Sequence, residues 1–115
     1  MKEYNIKSGM PVVEIALKRA DACIQEAKYK RLKIIKIVHG YGSTGAGGEI
    51  KIALHEHLKR KKANNIIQAF IPGEAFTELL GYSELISKYN HLISNDNDAR
   101  TGNRGITFII LWLIN

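Results

Sequence analysis

His39 and the residues after it, in the stretch HGYGSTGAGGEIK, are the types that handle an oxyanion. Five of the ten glycines, Gly40, Gly42, Gly45, Gly47 and Gly48, lie between positions 40 and 48. Glycine permits positive φ and lets backbone N–H groups approach a ligand closely. An imidazole, with its ordinary pKa of about 6.5, can donate a hydrogen bond to a phosphodiester or move a proton at one. Tyr41 offers a ring on which an unpaired base can stack, or a cover for the end of a sheet. Lys7 and Lys51 add ammonium groups from either side of the loop. The phosphate-binding set is therefore Lys7, His39, Gly40, Tyr41, Gly42, Gly45, Gly47, Gly48 and Lys51. Within it His39 is the one candidate catalyst, and its other role is to anchor the loop through backbone carbonyls.

Positioning such a loop takes a strand before it and a helix after it, and both are legible. Residues 33–38, KIIKIV, are rich in β-branched side chains and predict a mostly buried strand. From Glu49, the positions Ile50, Ala53, Leu54, His57 and Leu58 keep a helical period, which ends in the cationic run Lys59 to Lys62. That run suits a helix C-terminus and is expected to compensate the dipole rather than to join the site. His55 and His57, two residues apart on this helix, point to different faces, so a shared metal is not expected; one should be exposed and the other at the core edge.

The remaining elements follow from the same periodicities. Alternation at Tyr4 to Lys7 suggests an edge strand closed by the turn KSG. Pro11 opens a helix over about 11–29, with Val13, Ala16, Leu17, Ala20, Ile24 and Ala27 on one face. NNIIQAFIPG is a third strand stopped by Pro72 and Gly73. Residues 74–105 are polar and irregular, with one helix at 83–93, and GITFIILWLI is a closing strand. The fold class expected is α/β, a two-layer sandwich of a small four-stranded mixed sheet and two main helices, in the order β-α-β-α-β-β. Lys7, Lys51 and the loop should then share the C-terminal edge of the sheet.

Two familiar phosphate loops do not fit. Gly40, Gly42 and Gly45 spell GxGxxG after a strand, yet the next strand has no acidic residue at its end to hold a ribose. A P-loop needs Gly-Lys-Ser/Thr at the helix start, where this chain has Ala46, Gly47, Gly48 and Glu49.

Composition bounds the partners. The 115 residues are 45% hydrophobic and 24% charged, enough for one core. Cys23 is the only cysteine, which leaves no disulfide framework and suggests a reducing, cytoplasmic setting. The apolar run 106–114 is about half the ~20 residues that span a bilayer, so no membrane partner is expected. Net charge is +6. Residues 1–62 carry 14 Lys/Arg against 6 Asp/Glu, and residues 63–115 carry 3 against 5. The basic half is also the glycine-rich half, as for a surface that faces a polyanion. Composition sets no oligomeric state.

At this point the motifs carry a resemblance. IVHGYGSTGAGGEIKIALHEHLK resembles the His-Gly-x-Gly signature and following helix of the small MutS-related (Smr) domain, and VVEIALKRADACIQEAKYKRLKIIKIVHG resembles what precedes it there. GEAF and NRGITFIILWL resemble its final segment. The likeness covers residues 4–73 and 104–113 of a single domain, with an insertion at about 74–103. It implies a fold similar to the C-terminal domain of bacterial translation initiation factor three, a DNA or RNA ligand and, in some members, endonuclease activity. Active members look like Leu-Asp-x-His in the first strand, where this chain has Tyr4, Asn5, Ile6 and Lys7. Neither the carboxylate nor the second imidazole is present, which favours binding over cutting. No cofactor is implied beyond magnesium in the nuclease case. Three functions stand: a nucleic-acid-binding module, a weak endonuclease that uses His39, and a receptor for a small phosphorylated metabolite.

Overall fold

The computed structural model of the chain describes residues 1–41 and 46–112, with residues 46 and 47 described as backbone only. Its elements are β1 (Lys2–Asn5), α1 (Val13–Tyr29), β2 (Ile34–Val38), α2 (Ala46–Ala63), β3 (Ala69–Pro72), a 3-10 turn (Gly73–Phe76), α3 (Ser83–Ile93), α4 (Asn97–Thr101) and β4 (Ile106–Ile110). The sheet order is β1-β2-β4-β3. β1 runs parallel to β2, and β4 lies antiparallel between β2 and β3. The carboxyl ends of β1, β2 and β3 and the start of β4 therefore share one edge, as the site requires.

Local chemistry explains where each element stops. β1 ends at Asn5, earlier than the alternation suggested, because the Asn5 carboxamide accepts the N–H groups of Lys7 and Ser8 at 2.9 and 3.0 Å and turns the chain. Arg19 then reaches back from α1 to the carbonyls of Ile6 and Ser8, at 3.3 and 2.7 Å. α1 begins at Val13 rather than Pro11 and packs Ala16, Ala20, Ile24 and Ala27 on the sheet. The small alanines let the helix lie close. Ile35 and Ile37 of β2 meet Ile50, Leu54 and Leu58 of α2 in the same cluster.

The second face of the sheet is covered as well, which adds a layer to the expected sandwich. α3 spans the residues expected for it, and α4, unforeseen, follows it. Tyr89, Ile93 and Ala99 pack on Ile71, Ile106, Phe108 and Ile110. All five residues of β4 are buried, as an unbroken apolar run demands when both faces are covered. α4 is a capped turn: Asp96 accepts from the N–H groups of Asp98 and Ala99, and Gly102 closes it at φ 65°. Lys36, on this face of β2, meets Asp96 at 2.8 Å and Asp98 at 2.6 Å. A lysine of the basic half is thus a buried tether for α4, and its charge is not offered to a polyanion. Among the described residues no helix is long and apolar enough to cross a membrane.

Topology also separates the cations from the glycines. Both long helices start at the loop edge and run away from it, and α2 alone, at 18 residues, is ~27 Å long. Lys28 in α1 and the Lys59–Lys62 run in α2 close these helices, so they stand at the opposite pole from the loop. The coincidence of charge and glycine along the chain is not a coincidence in space.

Candidate nucleic-acid interface

The loop edge begins with His39, which follows β2 directly. Its backbone N–H and that of Gly40 both donate to the Gly105 carbonyl, at 2.9 and 3.0 Å. Gly40 takes φ +70°, which a side chain would resist. The His39 ring is fully buried. Its Nδ1 lies 2.6 Å from the Gly40 carbonyl and its Nε2 lies 2.8 Å from Thr107 Oγ1. A carbonyl only accepts, so Nδ1 carries the proton and Nε2 presents a lone pair to the Thr107 hydroxyl. The hydroxyl proton is then spent on His39. Thr107 Oγ1 must therefore accept from the other ring that touches it, His55 Nε2 at 2.8 Å. The chain of donors runs His55 to Thr107 to His39 to Gly40, and it settles the tautomer of both neutral histidines.

His39 thus has both nitrogens engaged inside the protein, the geometry of a loop anchor. His55 is neither exposed nor a simple core-edge residue. Its ring packs 5.8 Å from His39 and 5.5 Å from Phe70, centroid to centroid. His57, on another face, bonds Asp21 of α1 at 2.7 Å, and Lys61 reaches the same carboxylate at 3.0 Å. That part of the cationic run ties two helices together.

Burial pushes the His55 imidazole down to about 4, helped by the positive field of His39 and Lys51 against Glu74. His39 is lowered too, first by burial. Both rings fold neutral, whereas in the unfolded chain each takes a proton below about pH 6.5. Their contribution is complete above that pH and is lost as pH falls toward 4. Stability from urea titrations should drop by about 1.5–2 kcal/mol between pH 7 and pH 5 through His55 alone. His55→Phe should remove that share, which isolates it from His57 and His91. A wild-type stability that is flat over this range would refute the assignment.

Lys51 stands one helical turn before His55 on the same face of α2, but it is not free. Its ammonium pairs with the Glu74 carboxylate and donates to the Arg104 carbonyl at 3.0 Å. The Glu74 side chain is 8% exposed, and its Oε1 is buried without a hydrogen-bond partner. Lys51, expected at the phosphate, here neutralises a buried carboxylate and lies 5.9 Å from the Tyr41 ring centroid. Lys7 is exposed, and among the described residues no carboxylate lies within ion-pair distance of it. Tyr41 is 52% exposed. Gly48 lies in the first turn of α2, 3.6 Å from the Tyr41 carbonyl when a Cβ is placed on it. Gly42 and Gly45 lie outside the described residues, and Gly47 is described only as α2 backbone.

Among the described residues the buried donors of this edge do not suit magnesium. Among the described residues the edge offers one buried carboxylate, Glu74, already held by Lys51, and Asn5 is committed to its turn. Glu74 and Thr107 escaped notice in the sequence, and His55 was not joined to the site, because their contacts cross 23, 68 and 52 residues.

No protein-family model matches the sequence, and no curated protein sequence does. Among solved structures, the Smr domain of Thermus thermophilus MutS2 is similar to this chain with a TM-score of 0.60, at 21% identity, over 97% of this chain and 99% of that one. The likeness extends through all of the elements above, and the chain therefore has the Smr-type fold.

Proposed function

We propose that this chain is a nucleic-acid-binding domain whose loop edge holds backbone phosphates without reading base sequence. The observation that carries it is the strand–glycine loop–helix unit at the carboxyl edge of a sheet of Smr-type fold. There α2 starts at Ala46 and brings its N-terminal, positive dipole end to the loop. Lys7 joins that edge as a cation unpaired among the described residues, and Tyr41 as an exposed ring. Phosphate contacts of this kind position a duplex or a folded RNA and contribute affinity to all sequences alike. Binding rather than cleavage is supported by the state of three groups at this edge. His39 has no free nitrogen, Asn5 is tied into a turn, and Glu74 is neutralised by Lys51.

The test is affinity as a function of salt. Binding should weaken steeply with salt, and Lys7→Ala should reduce the slope by about 0.9 on duplex DNA without changing sequence preference. Gly48→Ala separates two reasons for a glycine at that position. Its Cβ meets only ordinary contacts, and alanine in a helix is favoured by about 0.8–1 kcal/mol, so the fold should gain stability. Affinity should fall if the bare backbone serves the ligand. A nicking and RNA-cleavage assay should show no activity that His39→Ala removes. Salt-independent binding, or cleavage that depends on His39, would overturn the reading.

A further inference from the structure

The pole opposite the loop holds a feature that the loop-edge reading leaves unused. α2 ends there in Lys59, Arg60, Lys61 and Lys62, and α1 ends there in Lys28, followed by Lys30 and Arg31. Three of these cations have local partners: Lys30 with Glu26, Lys59 with Glu56, and Lys61 with Asp21. Among the described residues Lys28, Arg31, Arg60 and Lys62 have no carboxylate within ion-pair distance. Cations are favoured at a helix C-terminus by its dipole, and here seven of them gather at one pole. At the loop edge, by contrast, two of the cations are spent internally, as Lys51 pairs with Glu74 and Arg104 with Glu78.

Beside this surface opens a cleft of about 470 Å³, lined by Lys59, Lys62, Ala63, Phe70, Tyr82 and Leu85. Its walls are apolar and partly aromatic. The Phe70 and Tyr82 rings stand 6.4 Å apart at an angle of 62°. Phe70 forms part of the floor at 5% exposure, and Tyr82 and Leu85, half-buried, come from the residue before α3 and from its first turn. Residues 74–103 thus supply one wall. Lys59 and Lys62 are one turn apart on α2 and flank the apolar space.

An open, mostly apolar cleft with two aromatic rings in its walls, two cations at its rim and further cations beyond it fits a planar group carried on a polyanionic backbone. We infer that this pole is a second nucleic-acid contact, in which an unpaired base of a single strand enters the cleft against Tyr82 and Phe70 while the adjoining phosphates meet Lys59, Arg60 and Lys62. The inference rests on the nucleic-acid reading above and adds to it a preference for single strands, because a base held in a duplex stack cannot enter. It also gives residues 74–103 a role.

The experiment uses the full chain and a fluorescently labelled oligo-dT, with a hairpin duplex of equal length as comparison. The single strand should bind at least about tenfold tighter than the duplex. Tyr82→Leu keeps an apolar side chain and removes the ring, and should weaken single-strand binding by about tenfold. Arg60→Ala with Lys62→Ala should lower the salt slope on oligo-dT by about 1.4. Photo-cross-linking of a 5-iodouracil oligonucleotide to the wild type, mapped by mass spectrometry, should mark Tyr82 or Phe70, and this readout stands even if Tyr82→Leu fails to fold. Nucleic acid bound with equal affinity as duplex and single strand, or with cross-links confined to the loop edge, would overturn this inference and leave the loop-edge function standing. No binding of either nucleic acid would overturn both.

Discussion

Gly73→Ala is expected to lower the melting temperature by about 15 °C. Gly73 follows β3 directly and opens the 3-10 turn against the start of β4. A Cβ on it would lie 2.1 Å from the Asn103 carbonyl oxygen and 2.8 Å from Ile106 Cδ1. Ile106 can shift its terminal carbon. The carbonyl has nowhere to go, because Asn103 is held from several sides. Its N–H bonds the Asp98 carbonyl at 2.9 Å, its amide bonds the Asp98 carboxylate at 2.9 Å, and its own Oδ1 accepts from the Gly105 N–H at 2.8 Å. Asp98 is in turn paired with Lys36. Overpacking in a rigid place costs about 3 kcal/mol, and each kcal/mol moves the midpoint of a domain of this size by roughly 4–8 °C. Thermal unfolding followed by circular dichroism reads the effect, with Gly48→Ala as the control in which the same methyl finds room. A Gly73→Ala midpoint within a few degrees of the wild type would show that the 3-10 turn can slide, and with it Glu74 and Lys51.

This glycine illustrates what the sequence could and could not reveal. The crowd of glycines after His39 draws attention by density, yet a sterically indispensable one stands alone after Pro72, where it reads as a simple turn residue. Density is visible along the chain, while a carbonyl 30 residues away is not. The same distinction runs through the fold. Strand and helix periods gave β2, α2 and α3 nearly residue by residue, because burial on one face is written locally in the pattern. β1 was placed too late because its terminator is a side chain, Asn5, that bonds the next two N–H groups.

α4 had a signature in plain sight, an aspartate at the cap and a glycine just past the end, but at five residues it had no period to notice. The closing strand held a further clue. Ile-Thr-Phe-Ile-Ile does not alternate, so both of its faces had to be buried, and two helices on one side cannot do that. Something in residues 74–103 had to cover the other face, and Lys36 in a buried strand had to find an anion there. The charge balance by halves misled for a related reason. It sums along the chain, whereas the helices carry their cations a full helix length away from the loop in which they begin.

Thr107→Val is expected to cost about 3 kcal/mol, the second of the large effects, although it removes a single hydroxyl from a strand read as apolar throughout. Valine fills nearly the same space and favours the strand, so neither a cavity nor backbone strain enters. What is lost is the partner shared by two buried imidazoles. His39 Nε2 keeps a lone pair with no donor, and His55 Nε2–H keeps a proton with no acceptor. Each orphaned polar group costs about 1–3 kcal/mol, and the two occur together. Thr107→Ser is the discriminating companion, since it keeps the hydroxyl and gives up only a methyl group, worth about 1 kcal/mol. The order of stability in urea should be wild type, then Ser, then Val. Nitrogen-15 shifts of the imidazoles add a readout that packing does not move: the wild type should show His39 protonated at Nδ1 and His55 at Nε2, both neutral at pH 7. A Val variant as stable as the Ser variant would mean that the hydroxyl does not join the two rings, and the opposite tautomers would mean that the donor chain runs the other way and that the His39 ring has no proton for the Gly40 carbonyl.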